Sequence, residues 1–146
     1  MVHVPASVLV QFLSCATLVK LSFAKQCGLN LSQFLALLVL GNASGLSIKE
    51  MKEKLSIPGS SLTFTIDALE KRGLVKRQRS KEDRRQWFLS LTAKGRRLYA
   101  DVLRRESKVL SAAFDNLSEE ERAAFLRVAE EIVSSGRLKY TEQDLV

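Results

Sequence analysis

The chain has 146 residues, of which 46% are hydrophobic and 27% charged, a balance typical of a globular domain with a substantial buried core. This composition excludes an intrinsically disordered tail and a disulfide-stapled mini-protein. With 2 Cys and 1 His the chain is too poor in ligands for a zinc ribbon or a histidine-rich cluster, so we expect no metal and no other cofactor. The low cysteine content also makes a reducing cytoplasm the expected compartment.

The net charge of +7 is concentrated in one part of the chain. Residues 71–105 contain 13 Lys or Arg against 3 Asp or Glu, whereas residues 106–146 contain 5 against 9. A solvated charged surface is the simplest explanation of a charge run. An excess this lopsided instead favours an anionic partner, either nucleic acid or a membrane surface.

The first predicted element is an apolar helix over residues 4–24, which Gly28 and Asn30 end. No Lys or Arg precedes it, which argues against a signal peptide. Lys20 and several hydroxyl side chains interrupt it, which argues against a membrane span. A helix that is apolar nearly all round is more typical of a protein interface, and we favour that interpretation over membrane insertion.

Three shorter helices are predicted next. Ser32 is the expected N-cap of the first. Ser47 and Glu50 have the spacing of a capping box that opens the second, which ends at a tight turn. The third runs over residues 60–72, and Gly73 closes it. A short helix, a tight turn and a second helix are the layout of a helix-turn-helix, with any small helical bundle as the alternative.

The hydrophobic period changes after the third helix. Residues 74–79 and 86–91 each predict a strand, and the polar segment 80–85 between them predicts the tip of a hairpin. A basic hairpin directly after a helix-turn-helix is a wing. Together they offer DNA a helix for the major groove and a hairpin for the neighbouring minor groove or backbone.

Two more helices complete the predicted fold. Thr92 is the expected cap of one that runs to about Asn116. Ser118 and Glu121 have the spacing of a capping box for the other, which Gly136 ends. Both have apolar faces that a monomer of this size has little else to cover, so we expect a homodimer.

The motifs around the hairpin resemble those of the multiple-antibiotic-resistance regulator (MarR) family of winged helix-turn-helix transcription factors. The matching segments are 67–73, 74–77, 83–85, 89–95 and 117–122. The resemblance implies a mainly α-helical fold with a small β-hairpin, in a single domain over residues 1–146. Within that domain, residues 31–92 would form the winged helix-turn-helix, and residues 1–28 and 93–146 the dimerisation helices.

The same resemblance implies a homodimer that binds a pseudo-palindromic operator in double-stranded DNA, usually as a repressor. In many members a small aromatic or phenolic ligand weakens DNA binding. We expect no enzymatic activity, because a single His leaves no histidine-based triad and the carboxylate cluster lies where it complements a helix N-terminus. A winged-helix module that uses its basic surface on an acidic protein partner is the alternative.

The candidate DNA contacts lie on the third helix and on the hairpin. Hydroxyl side chains can bond phosphates or base edges, and hairpin cations are expected to meet phosphates. Arg85, held by Asp83, is expected to enter the minor groove, the alternative being a plain surface ion pair. The full set is Ser60, Ser61, Thr63, Phe64, Thr65, Arg77, Arg79, Lys81, Asp83, Arg84 and Arg85.

Several residues leave two interpretations open. Many family members have Arg where this chain has Phe64, which either packs against thymine methyl groups or belongs to the core. Lys71 and Arg72 suit DNA contact and the helix dipole equally well. Cys15 is a redox candidate, because some members sense oxidants through a Cys in the first helix. A small buried hydrophobe is the commoner role of a free Cys.

Overall fold

A computed structural model describes residues 6–79 and 87–135. In chain order its elements are α1 (Ala6–Gln26), α2 (Leu31–Gly41), β1 (Leu46–Ser47), α3 (Ile48–Leu55), α4 (Gly59–Lys71), β2 (Val75–Arg79), β3 (Trp87–Leu91), α5 (Ala93–Phe114) and α6 (Glu119–Ser135). The predicted mainly helical fold with a small hairpin is therefore confirmed. The chain divides into two compact units, Met1–Arg104 and Arg105–Val146.

The sheet has three antiparallel strands in the order β1-β3-β2. Val75 pairs with Leu91 and Arg79 with Trp87, so both predicted strands are confirmed within a residue of their expected bounds. The third strand was not predicted. It has only two residues, and Leu46 pairs with Leu89 at the far edge of β3.

The caps of α2 and α3 show which local signals determine where these helices begin. The N-cap of α2 is Asn30, not the predicted Ser32: the Asn30 side chain accepts from the Gln33 N–H at 2.9 Å, and the Gln33 side chain accepts from the Asn30 N–H at 3.2 Å. Ser32 lies inside the first turn, because a complete capping box is available two residues earlier. The predicted box of Ser47 and Glu50 is confirmed, with reciprocal bonds of 2.7 and 3.2 Å.

The core of the first unit is formed mainly by α2, α4 and the sheet. Its largest fully buried side chains are Phe34, Leu37, Leu40, Met51, Leu62, Ile66, Leu69, Val75, Leu89 and Val102. On α4 the buried residues recur every three or four positions, which places them on one face of the helix. The opposite face of α4 is therefore left to solvent.

The start of α5 is fixed to the end of the sheet by two residues. Thr92 caps the helix as predicted, since its hydroxyl accepts from the Gly95 N–H at 3.0 Å and donates to the Gly73 carbonyl at 2.6 Å. A Cβ at Gly95 would lie 2.0 Å from the Leu74 carbonyl oxygen, so only glycine fits there. The Leu-Thr-x-x-Gly segment thus joins α5 closely to the strand that follows α4.

In α1 the C-terminal turns are more buried than the rest of the helix. Phe23 and Ala24 are buried, whereas Phe12, Leu13 and Leu18 are each more than half exposed. Within the described residues no single helix is long and apolar enough to cross a membrane. Only α1 and α2 taken together have the length and composition, and they are bent by 94°.

The second unit contains the predicted capping box at the start of α6. The Ser118 N–H donates to the Glu121 carboxylate at 2.8 Å, and the Glu121 N–H donates to the Ser118 hydroxyl at 3.2 Å. The rings of Phe114 and Phe125 pack with their centroids 4.9 Å apart. The expected end of this helix at Gly136 lies outside the described residues.

Candidate nucleic-acid interface

The exposed face of α4 carries most of the helix residues that were predicted to contact DNA. Ser60, Ser61, Thr63 and Phe64 are all exposed. Thr65 is only 5% exposed and lies on the buried face with Leu62 and Ile66, so we leave it out of this surface. The distinction follows from the helical period, which turns Thr65 toward the core of the first unit.

Phe64 is 70% exposed, which decides between its two interpretations in favour of the surface. It lies two residues after the buried Leu62, roughly 200° around the helix axis. A large aromatic side chain therefore stands in the middle of the exposed face of α4, between small hydroxyl side chains.

The N-terminus of α4 is free of a side-chain cap. Pro58 is the N-cap residue and has no side chain able to accept from the first turn. The Thr63 hydroxyl donates to the Gly59 carbonyl at 3.1 Å. The first N–H groups of α4 therefore remain available to an anion such as a DNA phosphate, which the helix dipole also favours.

Arg77 lies between the helix and the wing and is bound to α4. Its guanidinium contacts the Asp67 carboxylate at 2.5 Å and the Glu70 carboxylate at 3.3 Å, with 27% of the side chain exposed. The backbone N–H of Arg77 also donates to the Glu70 carboxylate at 3.4 Å. Two carboxylates of α4 therefore hold Arg77 and with it β2, and the phosphate contact of Arg77 stays a prediction.

Arg79 is placed as the wing hypothesis requires. It is exposed at the end of β2, and its guanidinium lies 5.0 Å from the ring centroid of its cross-strand partner Trp87. The contact of a cation with an aromatic face limits the directions in which Arg79 can extend. The remaining wing candidates, Lys81, Asp83, Arg84 and Arg85, lie outside the described residues, and their roles stay predictions.

Arg72 at the end of α4 has a structural role that the sequence did not reveal. Its guanidinium donates to the carbonyls of Cys27, at 3.0 Å, and Gly28, and its own carbonyl accepts from Lys94 at 2.9 Å. Of its two interpretations, DNA contact or a role at the helix end, the structure favours the second. Lys71 beside it is exposed and makes no such contact among the described hydrogen bonds.

Lys76 is an exposed cation on the wing that was absent from the predicted set. Side chains alternate along a strand, so a buried Val75 places Arg77 on the inner side and Lys76 on the outer side. Applied to β2, this alternation would have predicted that Lys76 is exposed and that Arg77 faces the inner side. Lys71 at the end of α4 and Lys76 and Arg79 on β2 are thus exposed cations of the first unit.

The cysteines and the other titratable groups do not form a second site in the described part of the chain. Cys15 is exposed on α1, Cys27 is partly buried, and both thiols are free of disulfides. Within residues 6–79 and 87–135 there is no group of three or more His, Cys, Asp or Glu that could hold a metal ion. The redox role of Cys15 stays a prediction.

The fold and this surface define a winged helix-turn-helix protein. The family model described as "MarR family" matches residues 29–87. The chain is 33% identical over 122 residues to the transcriptional repressor MprA of Escherichia coli K12, a match that covers 82% of this chain and 68% of MprA. The chain therefore belongs to the MarR family of transcriptional regulators.

Other relatives agree with this assignment over shorter spans or at lower identity. The uncharacterized regulator YfiV of Bacillus subtilis is 31% identical over 96 residues, which are 66% of this chain and 60% of YfiV. A mutant MepR from S. aureus has a TM-score of 0.78 at 20% identity, covering 92% of this chain and 99% of MepR. FabT of Streptococcus pneumoniae in complex with DNA has a TM-score of 0.72 at 22% identity, and the match covers 91% of this chain and 95% of FabT. NadR in complex with 4-hydroxyphenylacetate has a TM-score of 0.70 at 24% identity, and the match covers 90% of this chain and 94% of NadR. At these identities the solved structures establish the fold.

Proposed function

We propose that the protein is a cytoplasmic, homodimeric transcriptional repressor that binds a pseudo-palindromic operator in double-stranded DNA. The observation that carries the proposal is the exposed face of α4, together with the exposed cations on β2 of the wing. Ser60, Ser61 and Phe64 are accessible on the helix, and Lys76 and Arg79 on β2. A helix of this kind enters the major groove while the adjoining hairpin meets the backbone or the minor groove.

The uncapped N-terminus of α4 and the wing cations would position the protein on the phosphates. Such contacts hold the register of a protein on the duplex without distinguishing sequence. Lys81 and Arg84 would add phosphate contacts at the tip, and Arg85, oriented by Asp83, would enter the minor groove. FabT, which shares the fold, is known in complex with DNA, and this supports DNA as the partner.

The dimer would use the apolar residues that each unit leaves exposed. Val10, Leu13 and Leu18 on α1 are 59–64% exposed, and Leu126 and Val133 on α6 are 57% and 79% exposed. Monomers rarely leave large apolar patches in water, and a second copy of the chain is the usual cover in a symmetric oligomer. We assign dimerisation to residues 1–28 and 93–146 and DNA binding to residues 31–92.

Release from DNA would follow the binding of a small aromatic or phenolic ligand. The complex of NadR with 4-hydroxyphenylacetate supports this class of ligand, and the name of the E. coli relative MprA supports repression. Oxidation of Cys15 is the less favoured route. Its thiol is exposed on α1, but sensing also needs a stabilised thiolate.

Fluorescence anisotropy tests the proposal on labelled DNA from directly upstream of the protein's own coding region. A scrambled duplex of equal length is titrated beside it at physiological salt. We expect tighter binding to the natural fragment, with two chains per site. Equal and salt-sensitive binding to both duplexes would contradict a sequence-specific regulator at that site, because phosphate contacts alone produce that behaviour.

A further inference from the structure

Except for Lys71 at its C-terminal end, α4 lacks the side chains that usually distinguish purines. Residues 59–70 contain no Arg, Lys, Asn or Gln, which are the side chains that form paired hydrogen bonds with guanine or adenine in the major groove. The acidic side chains of that span, Asp67 and Glu70, are bound to Arg77. Before its last residue, Lys71, α4 therefore offers the bases only hydroxyl groups and the apolar surface of Phe64.

Phe64 is the largest exposed side chain on α4, with 70% of its surface accessible. Its neighbour Thr63 donates its hydroxyl proton to the Gly59 carbonyl, so that proton is already used, while the methyl group of Thr63 adds to the apolar surface. The major groove offers one prominent apolar group to such side chains, which is the 5-methyl group of thymine.

We propose that Phe64 is a specificity-determining residue that packs against a thymine 5-methyl group in each half-site. The proposal rests on the proposed function, since it requires α4 to lie in the major groove. Its chemistry is distinct from ordinary base recognition, because it depends on a methyl group and not on the hydrogen-bonding edge of the base. Cations of the wing supply affinity for any sequence, and Phe64 supplies preference for thymine.

The experiment begins with selection of duplexes from a random pool by the full-length protein. The selected duplex is then synthesised with deoxyuridine in place of thymine, first at single positions and then in both half-sites. Deoxyuridine pairs like thymine and lacks only the 5-methyl group. We expect about fourfold weaker binding for one contacted methyl group and about fifteenfold for two, from the usual contribution of a buried methyl-sized group.

Two variants separate Phe64 from general DNA affinity. Phe64→Ala is expected to bind the thymine and deoxyuridine duplexes equally, and it should fold because the side chain lies outside the core. Arg79→Ala is the matched control. It is expected to weaken binding to both duplexes by the same factor, so the ratio between them stays that of the wild type.

Each result decides the proposal. Equal binding of the wild type to the thymine and deoxyuridine duplexes would overturn it, as would a selected half-site without thymine. A deoxyuridine effect that persists in Phe64→Ala would assign the methyl contact to another residue and also overturn it. A pool that shows no enrichment would instead refute the proposed function itself, so the two failures are distinguishable.

Discussion

Two helices of this chain, α2 and α6, differ in whether their apolar side chains are buried. In α2, Phe34, Ala36, Leu37 and Leu40 are buried within the first unit. In α6, no residue over 119–134 is buried, and Val133 is 79% exposed. The winged region therefore has a core of its own, whereas α6 has apolar side chains that are exposed in the part of the chain that the structure describes. The difference supports our proposal that the winged region binds DNA and that a second copy of the chain covers α6.

The largest effect is expected where α6 would meet the second copy. The double substitution Leu126→Glu and Val133→Glu places two charges on the exposed apolar face, where truncation at well-buried interface positions alone costs about 2 kcal/mol each. We expect sedimentation velocity to show a dimer for the wild type and a monomer for this variant.

Glu131→Gln on the same helix is the control and should leave the dimer intact, since Glu131 is exposed and lies roughly 140–160° around the helix axis from Leu126 and Val133. A double variant that sediments as the wild type does would show that α6 is not part of the interface. The contrast between α2 and α6 would then need a different explanation.

The next largest effect is expected where the start of α5 packs against the winged region. Gly95→Ala would place a methyl group 2.0 Å from the Leu74 carbonyl oxygen, so α5 or the sheet would have to shift. We expect the free energy of unfolding to fall by about 3 kcal/mol, as overpacking against backbone does. Chemical denaturation monitored by circular dichroism measures this loss.

Gly59→Ala is the matched control for that substitution. No atom lies within 4 Å of a Cβ at Gly59, which is in the first turn of α4. Its stability should equal or slightly exceed that of the wild type, because alanine favours helix more than glycine does. Equal losses in both variants would contradict the close approach at Gly95.

Arg77 and Arg79 test the division of roles within β2. Arg77→Ala should lower the free energy of unfolding by about 1 kcal/mol, because Asp67 and Glu70 lose their partner. Arg79→Ala should leave the free energy of unfolding nearly unchanged. In DNA binding, it should reduce the slope of log affinity against log salt concentration by about one. Identical behaviour of the two variants in both measurements would remove the distinction between a positioning and a contacting arginine.

The smallest effect is expected at the capping box of α3. Two hydrogen bonds from Ser47 lower the pKa of Glu50 below its ordinary value of 4.5. The bond from the backbone N–H has the larger effect and the bond from the hydroxyl the smaller. A lowered folded-state pKa stabilises the protein above pH 4.5, and that contribution is lost as the pH falls through the folded value.

Glu50→Gln should therefore flatten the stability profile on the acidic side of pH 4.5. Urea denaturation from pH 3 to 7 compares it with the wild type and with Glu53→Gln, an exposed neighbour. Parallel profiles for wild type and Glu50→Gln would show that this carboxylate contributes no pH dependence.

Local signals in the sequence were sufficient for most of the fold. Capping boxes, glycines at helix ends and the change of hydrophobic period depend on neighbouring residues, so they predicted the helices and the hairpin. Errors arose where two adequate local signals compete, as Asn30 and Ser32 do, or where the element is very short, as β1 is.

The candidate site was less accessible to sequence reasoning. The exposure of Phe64 follows from its angle to Leu62, and the outward position of Lys76 from that of Val75, so both were open to prediction. The partners of Arg72 were not, because the carbonyls of Cys27 and Gly28 are 45 and 44 residues away along the chain. Such contacts depend on the packing of α1 and α4, which no local pattern encodes.

Hydroxyl-radical footprinting on the selected duplex tests the central claim most directly. Two copies of α4 in adjacent turns of the major groove should protect two symmetric segments about 10 base pairs apart. A second, matching pattern on the opposite strand is expected from the two-fold symmetry of a dimer. A footprint confined to a single half-site, at protein concentrations that saturate the duplex, would contradict the account.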